Sequence, residues 1–164
     1  MRKVGLISDT HGFLDPDILK FIENTDEVWH AGDIGSVDVA ETLQRLKPLK
    51  AVYGNIDGTE IRLMFPRVQY FTIEKIKVCI LHIGGYPGHY ERNVKEMLKD
   101  AHVAIFIAGH SHILKVIHDK ELDLLHLNPG AAGKSGFHTI QTAMRFEIDG
   151  ADIKNMEIYE KPRH

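Results

Sequence analysis

Five short apolar runs in this chain each stop at a residue able to bind a metal ion, and that recurrence constrains the fold more than any other feature. Residues 4–7 run into Ser8-Asp9-Thr10-His11, and 27–31 into Gly32-Asp33. Residues 49–53 run into Gly54-Asn55, 76–82 close on His82, and 103–108 run into Gly109-His110-Ser111-His112. A short apolar run followed by polar turn residues reads as a strand buried on both faces, the kind a parallel sheet uses. Asp9 and His11, two residues apart on an extended chain end, would point the same way. A carboxylate and an imidazole so placed can share one divalent cation.

Helix signals separate the first three runs. Asp15-Pro16-Asp17 supplies a cap with proline in the first turn, and Ile18, Leu19 and Ile22 form the apolar face. Ser36 caps a second helix in which Val39, Ala40, Leu43 and Leu46 recur at helical spacing. Strand, helix, strand, helix, strand predicts a parallel α/β sheet. After Asp57 the pattern changes. Residues 68–73 and 76–82 predict a hairpin about Glu74-Lys75, 84–88 a flexible glycine-rich loop, 91–100 a helix and 103–108 a buried strand. From residue 113 onward only strands are expected, over 113–118, 122–127, 139–148 and 152–159, with tight turns at Asp119-Lys120 and Asp149-Gly150. The whole predicts two packed sheets with helices outside, in one domain over residues 1–164.

The bulk properties narrow the function classes. A chain of 164 residues can bury one continuous core. A net charge of -3 argues against a surface for nucleic acid or anionic lipid. Cys79, the lone cysteine, excludes an internal disulfide, and its neighbours Val78, Ile80 and Leu81 predict a buried, inert thiol. No apolar run approaches the roughly 18 residues that span a bilayer. The N-terminus leads straight into a strand and leaves no room for a signal peptide, so a cytoplasmic protein is expected.

In an open α/β sheet, ligands bind beyond the carboxyl ends of the strands. If the five runs share one sheet edge, Asp9, Asp33, Asn55, His82 and His110 converge there, with His11 and His112 close behind. Seven groups are too many for one cation and suit two that share a carboxylate. Oxygen and imidazole ligands without thiolate suit Mn, Fe, Zn, Co or Ni. Two such ions stabilise both the attacking and the leaving oxygen of an in-line phosphoryl displacement. The other histidines read differently. His30 is expected to support or pack against the site. His102, His118, His126, His138 and His164 carry no motif and read as surface or strand residues. His89 reads as a mobile, solvated side chain, Asp57 as a turn residue or a partner to a ligand, and Gly84-Gly85 as a flexible pair.

Taken in order, Ser8-Asp9-Thr10-His11, Gly32-Asp33, Gly54-Asn55, His82 and Gly109-His110-Ser111-His112 resemble the motifs of calcineurin-like metallophosphoesterases. Small size, the Asn128-Pro129-Gly130 turn and the strand-rich tail are most similar to the small bacterial and archaeal phosphodiesterase subgroup. The resemblance implies a four-layer α/β/β/α sandwich of two mixed β-sheets flanked by helices. It implies that Asp9, His11 and His112 hold one divalent ion and Asn55, His82 and His110 a second. Asp33 would bridge the two together with a water or hydroxide, the nucleophile. Asn55 would also touch the phosphate, so Asp33 and Asn55 take catalytic roles. Mn²⁺ is the expected metal, with Zn²⁺, Fe²⁺, Ni²⁺ and Co²⁺ as alternatives. The expected partner is a small phosphate-ester substrate, with no nucleic acid and no membrane, and a homo-oligomer is compatible with the chain. Two positions depart from the family pattern. Ile56 stands where many members carry a His that acts as general acid and where the small subgroup often has Cys. His82-Ile83-Gly84 replaces a common His-Gly pair. The competing expectation is a protein-binding scaffold of the same fold, similar to the trafficking subunit of the retromer coat, which also lacks the acid His. A scaffold would be free to lose ligands, whereas all seven remain here.

Overall fold

Alternation inside the apolar runs decides how the strands are buried. The computed structural model describes residues 1–163. Along them lie β1 (Arg2–Ile7), α1 (Pro16–Ile22), β2 (Glu27–His30), α2 (Val37–Leu46), β3 (Leu49–Ala51) and α3 (Thr59–Met64). There follow β4 (Val68–Ile73), β5 (Ile76–Leu81), β6 (Gly85–Tyr86), β7 (His89–Tyr90), α4 (Val94–Asp100) and β8 (Ile105–Ile107). The tail is β9 (Leu114–Asp119), β10 (Leu124–Pro129), β11 (Ile140–Asp149) and β12 (Asp152–Pro162). One five-stranded sheet has the order β12-β11-β1-β2-β3, the other β4-β5-β8-β10-β9. In the first sheet the parallel pairs, β1 with β2 and β2 with β3, run to the β3 edge; in the second the parallel pairs, β5 with β8 and β8 with β10, hold the middle. Antiparallel pairs lie outside them, β1 with β11 in one sheet, β4 with β5 and β10 with β9 in the other.

Successive residues of a strand face opposite sides. Val4 and Leu6 of β1, Val78 and Ile80 of β5, and Ile105 and Ile107 of β8 therefore meet between the sheets. Trp29 fixes the two sheets together: fully buried, it packs edge-on against Phe71 of the second sheet at 5.0 Å and Phe146 of the first at 5.7 Å. Truncating such a residue to alanine costs about 3–5 kcal/mol. The opposite faces carry the helices. Ile18, Ile22, Val39, Leu43 and Ile61 of α1, α2 and α3 cover one sheet. Val94 and Leu98 of α4 pack on Cys79, Leu81 and Phe106 of the other. The result is the expected four-layer α/β/β/α sandwich.

The caps form as the sequence predicts. Asp15 Oδ1 accepts from the Asp17 amide at 2.8 Å, and Ser36 Oγ from the Val39 amide at 3.3 Å. Cys79 is fully buried, and burial pushes its thiol up to about 12. Several expectations need correction. The helix α3 went unread because it has six residues and buries only Ile61, too little for a visible period. The loop expected at 84–88 contributes to a small hairpin, β6 pairing with β7. The helix expected from 91 begins at Val94, after Asn93 in a left-handed conformation. The strand expected over 122–127 runs instead from Leu124 to Pro129. His126, read as a surface or strand residue, lies on β10 but is fully buried, its Nδ1 3.1 Å from the Phe106 carbonyl. His164 lies outside the described residues.

Candidate metal centre

The candidate ligands do not line one sheet edge. Asp9 and His11 follow β1, Asp33 follows β2 and Asn55 follows β3, all in the first sheet; His82 follows β5 and His110 and His112 follow β8, both in the second. The site sits where the carboxyl ends of both sheets meet. Nor do Asp9 and His11 lie on extended chain. Asp9, His11, Asp33, His110 and His112 all have positive φ, between 47° and 71°. For residues with a Cβ this left-handed region costs about 1 kcal/mol or more each. Such strain collects where a site needs side chains turned back sharply at strand ends. Thr10, between Asp9 and His11, serves the packing: His30 Nε2 lies 3.0 Å from its hydroxyl, which donates to the Ile34 carbonyl at 2.8 Å. His30 is fully buried and accepts from the Gly32 amide on Nδ1, and burial holds its pKa down at about 4.

Two groups of ligand atoms result. Asp9, His11 and His112 form one, and Asp33, His82 and His110 the other, each with its atoms within 4.8 Å of one another. His112 Nε2 lies 3.2 Å from Asp9 Oδ1. Asp33 Oδ2 lies between the groups, 3.4 Å from His11 Nε2 and 3.2 Å from His82 Nε2. Asn55 Oδ1 completes the second group, 3.1 Å from His82 Nε2 and 3.0 Å from His110 Nδ1. All seven sequence-predicted residues therefore come together.

The surroundings orient these atoms. His82 is buried and its Nδ1 donates to the Ala31 carbonyl at 2.7 Å, so a cation at the centre would meet the lone pair of the neutral ring on Nε2. Asp33 Oδ1 accepts from the Ile56 amide at 3.0 Å, which leaves Oδ2 for the centre. Asp9 Oδ2 accepts from Ser8 Oγ at 2.6 Å and from the His110 amide at 3.2 Å. Asp57 ties two loops together, accepting from the amides of Ile34 at 3.1 Å, Gly35 at 2.8 Å and Gly54 at 2.8 Å. It supports the ligand loops, as the sequence suggested for a turn residue or ligand partner. Gly54 is required for close approach, since a Cβ there would collide with Asp33 Oδ1 and the Asp33 amide.

Asp9 Oδ1 and His11 Nε2 are buried without a hydrogen-bond partner, a costly arrangement for polar atoms unless a cation completes them. The electrostatics agree. Burial pushes the Asp9 carboxyl up, but the imidazoles of His11, His112 and His82 close to it and the Ser8 hydroxyl outweigh it, so its pKa falls. His11 rises chiefly through the Asp9 carboxylate, 3.7 Å from its Nε2. Burial lowers His82, yet Asp33 and Asp9 raise it further. Ionised carboxylates facing imidazole nitrogens form a site shaped for positive charge, and a divalent cation fits it.

One residue at the site escaped the sequence reading. His138, taken for a surface or strand residue, places its Nδ1 3.0 Å from His112 Nδ1. No motif marks it, and 26 residues separate the pair. His89, the histidine of the glycine-rich loop, is exposed with its ring 4.8 Å from Tyr86 and lines neither cavity at the site.

This fold, with paired ligand groups at the strand ends of two sheets, defines an α/β/β/α protein fitted to bind divalent metal. Residues 2–151 match the calcineurin-like phosphoesterase superfamily domain, and the chain belongs to that superfamily. A probable metallophosphoesterase of Methanothermobacter thermautotrophicus is 29% identical over 155 residues, which cover 92% of this chain and 88% of that one. A second, from Mycoplasma pneumoniae, is 30% identical over 80% of this chain and 79% of its own. Among solved structures, zinc-complexed Vps29 of Entamoeba histolytica matches with a TM-score of 0.77 at 17% identity, covering 99% of both chains. A predicted phosphoesterase of Streptococcus pneumoniae matches at 0.70 and 20% identity, over 99% of this chain and 90% of that one. At these identities the structural matches speak to the fold. No helix among the described residues is long and apolar enough to cross a membrane.

Proposed function

We propose that the protein is a dinuclear-metal phosphodiesterase. The observation that carries the dinuclear reading is Asp33 Oδ2, within 3.4 Å of a nitrogen from each ligand group. Asp9, His11 and His112 would hold one cation, Asn55, His82 and His110 the other, and Asp33 both. Two divalent cations bound there would supply charge to stabilise a phosphoryl group and would ionise water near neutral pH. The chain's own groups do the positioning. The Ile56 amide and the Ala31 carbonyl aim Asp33 and His82, and the Asn55 amide group would donate to a phosphoryl oxygen. Mn²⁺ is the expected metal, with the other divalent ions of mixed imidazole and carboxylate sites as alternatives.

The diester reading rests on two cavities that share Asn55. One, of about 330 Å³, carries His11, Asp33, His110 and His112 with the exposed Ile56 and Phe137 beside them. The other, of about 190 Å³, is lined by His82, Tyr53, Ile83, Arg62 and Arg67. Neither arginine has a carboxylate partner among the described residues. A diester has two substituents on phosphorus, and this arrangement offers an apolar wall to one and two guanidinium groups to the other. Small phosphate esters are therefore the expected substrates.

The test pairs elemental analysis with hydrolysis of bis(nitrophenyl) phosphate and nitrophenyl phosphate under Mn²⁺, Zn²⁺, Ni²⁺ and Co²⁺. We expect two ions per chain and a kcat/KM at least about tenfold higher for the diester. A preference for the monoester rejects the diester reading. Two bound ions with no hydrolysis of either ester would favour the scaffold reading.

A further inference from the structure

We propose that His138 is a positioning residue: its hydrogen bond to His112 holds that ring in the tautomer that turns a lone pair on Nε2 toward the metal centre. The inference rests on the reading of His112 as a metal ligand. It follows from which groups can donate. His138 Nε2 lies 2.7 Å from the Gly133 carbonyl, which can only accept, so Nε2 carries the proton. Neutral His138 then offers a lone pair on Nδ1. His112 Nδ1 lies 3.0 Å from that atom, so His112 is the donor. Its own lone pair is left on Nε2, 3.2 Å from Asp9 Oδ1. The two rings meet edge-on, with centroids 4.9 Å apart at 73°, which accommodates this bond.

The anchor is tied back to the same site. The Gly133 amide donates to the Asp9 carbonyl at 3.1 Å, and the Ala132 amide to the Ser8 carbonyl at 2.8 Å. The contacts close a circuit from the Asp9 main chain through Gly133, His138 and His112 to the Asp9 carboxylate. Gly136 keeps that circuit compact: its φ is +131°, and a Cβ there would strike the His112 ring. A His112 that binds a cation through Nε2 keeps its single proton on Nδ1, and only a neutral His138 ring can accept a hydrogen bond from it there. Free neutral histidine has little reason to choose the Nδ1–H form, so the partner at 138 makes the choice. The physical effect is the one known for groups behind metal ligands. Fixing tautomer and ring direction raises ligand strength, and losing it typically costs about 10–100-fold in metal affinity.

Three proteins test this: wild type, His138→Leu, and His138→Asn, whose amide oxygen lies near the position of Nδ1. Without metal, ¹⁵N-labelled ring spectra should show His112 protonated on Nδ1 in wild type and in His138→Asn, and largely on Nε2 in His138→Leu. With Mn²⁺ or Zn²⁺ and a competing chelator, His138→Leu should weaken one of two binding events about 10–100-fold. The other event should change by less than about threefold, and His138→Asn should recover most of the loss. An Nε2–H His112 in the wild type overturns the proposal, as does unchanged metal affinity in His138→Leu. Equal losses in both variants overturn it too, because they would mean that packing alone matters at 138. Wild-type protein that binds neither metal would instead defeat the metal-centre reading, while the tautomer spectra would still decide the role of His138.

Discussion

His82 and His112 solve the same problem in different ways. Each donates a hydrogen bond from one ring nitrogen so that the other faces the centre. His82 gives it to the Ala31 carbonyl at 2.7 Å, a main-chain acceptor beside the buried end of β2. His112 gives it to the His138 side chain at 3.0 Å, on the loop between β10 and β11. His82 is 2% exposed at its side chain and His112 13%. The second ligand group is thus oriented by backbone that no substitution removes, and the first by a side chain that a single substitution deletes. The comparison implies that the two halves of the centre differ in robustness more than in ligand chemistry.

The largest effect expected is at the residue both halves share. Asp33→Ala should release both ions and reduce hydrolysis by well over about 100-fold, since even groups behind the ligands cost that much. Full metal occupancy in that variant would refute the bridging role and would make the halves independent.

Separate alanine substitutions at His112 and His82 should each remove one ion of two, which elemental analysis reads directly. Their stabilities should diverge. His82→Ala leaves the Ala31 carbonyl buried without its donor, which costs about 1–3 kcal/mol. His112→Ala opens to solvent and should cost less than about 1 kcal/mol. Denaturant melts of the metal-free proteins with equal losses would break the contrast.

Position 56 sharpens it from another side. The Ile56 amide orients Asp33, while its side chain, which cannot donate a proton, stands 47% exposed beside the cavity. General acid catalysis contributes about 10²- to 10⁴-fold with poor leaving groups. Wild-type rates should therefore depend steeply on leaving-group acidity. Ile56→His should restore roughly tenfold on alkyl esters, a fraction of that range, and much less on nitrophenyl esters. A flat leaving-group profile that Ile56→His leaves unchanged would rule out a missing acid. His89, which lines neither cavity, should tolerate alanine with no change on either ester.

The last effect lies outside the centre, leaves hydrolysis untouched and serves as its control. Burial holds the His126 imidazole at about 4, with Nε2 unpartnered in the core. The unfolded chain takes up that proton near the ordinary 6.5, so the folded state is the poorer base. Stability is therefore unaffected above pH 6.5 and falls as pH drops from 6.5 to about 4, by up to about 3 kcal/mol in total. His126→Leu should flatten that part of the profile in metal-free protein. An unchanged acid slope would show that other groups, such as His30, carry it.

The strand ends and ligand types were legible because local rules write them. A strand buried on both faces must be apolar, and a polar residue that follows it must turn or bind something. Asp9, His11, Asp33, Asn55, His82, His110 and His112 could therefore be named from recurrence. The caps at Asp15 and Ser36 were legible for the same reason, since a helix start needs a nearby acceptor. The helix at 59–64 and the hairpin at 85–90 were not, because six residues, or two pairs, hold too little pattern. His126 was misread because an imidazole on a strand carries no local mark of its burial.

What the sequence determined by itself was the inventory: which side chains stand at strand ends and which faces are apolar. Only the tertiary structure decided that the ligands come from two facing sheets and that left-handed turns, in place of extended chain, aim five of them. It alone decided that Ala31 and His138 orient His82 and His112, across separations of 51 and 26 residues. The reason is physical. Side-chain periodicity is set by neighbours along the chain, whereas a hydrogen-bond partner is set by whatever packing brings within 3 Å, and packing answers to the whole core.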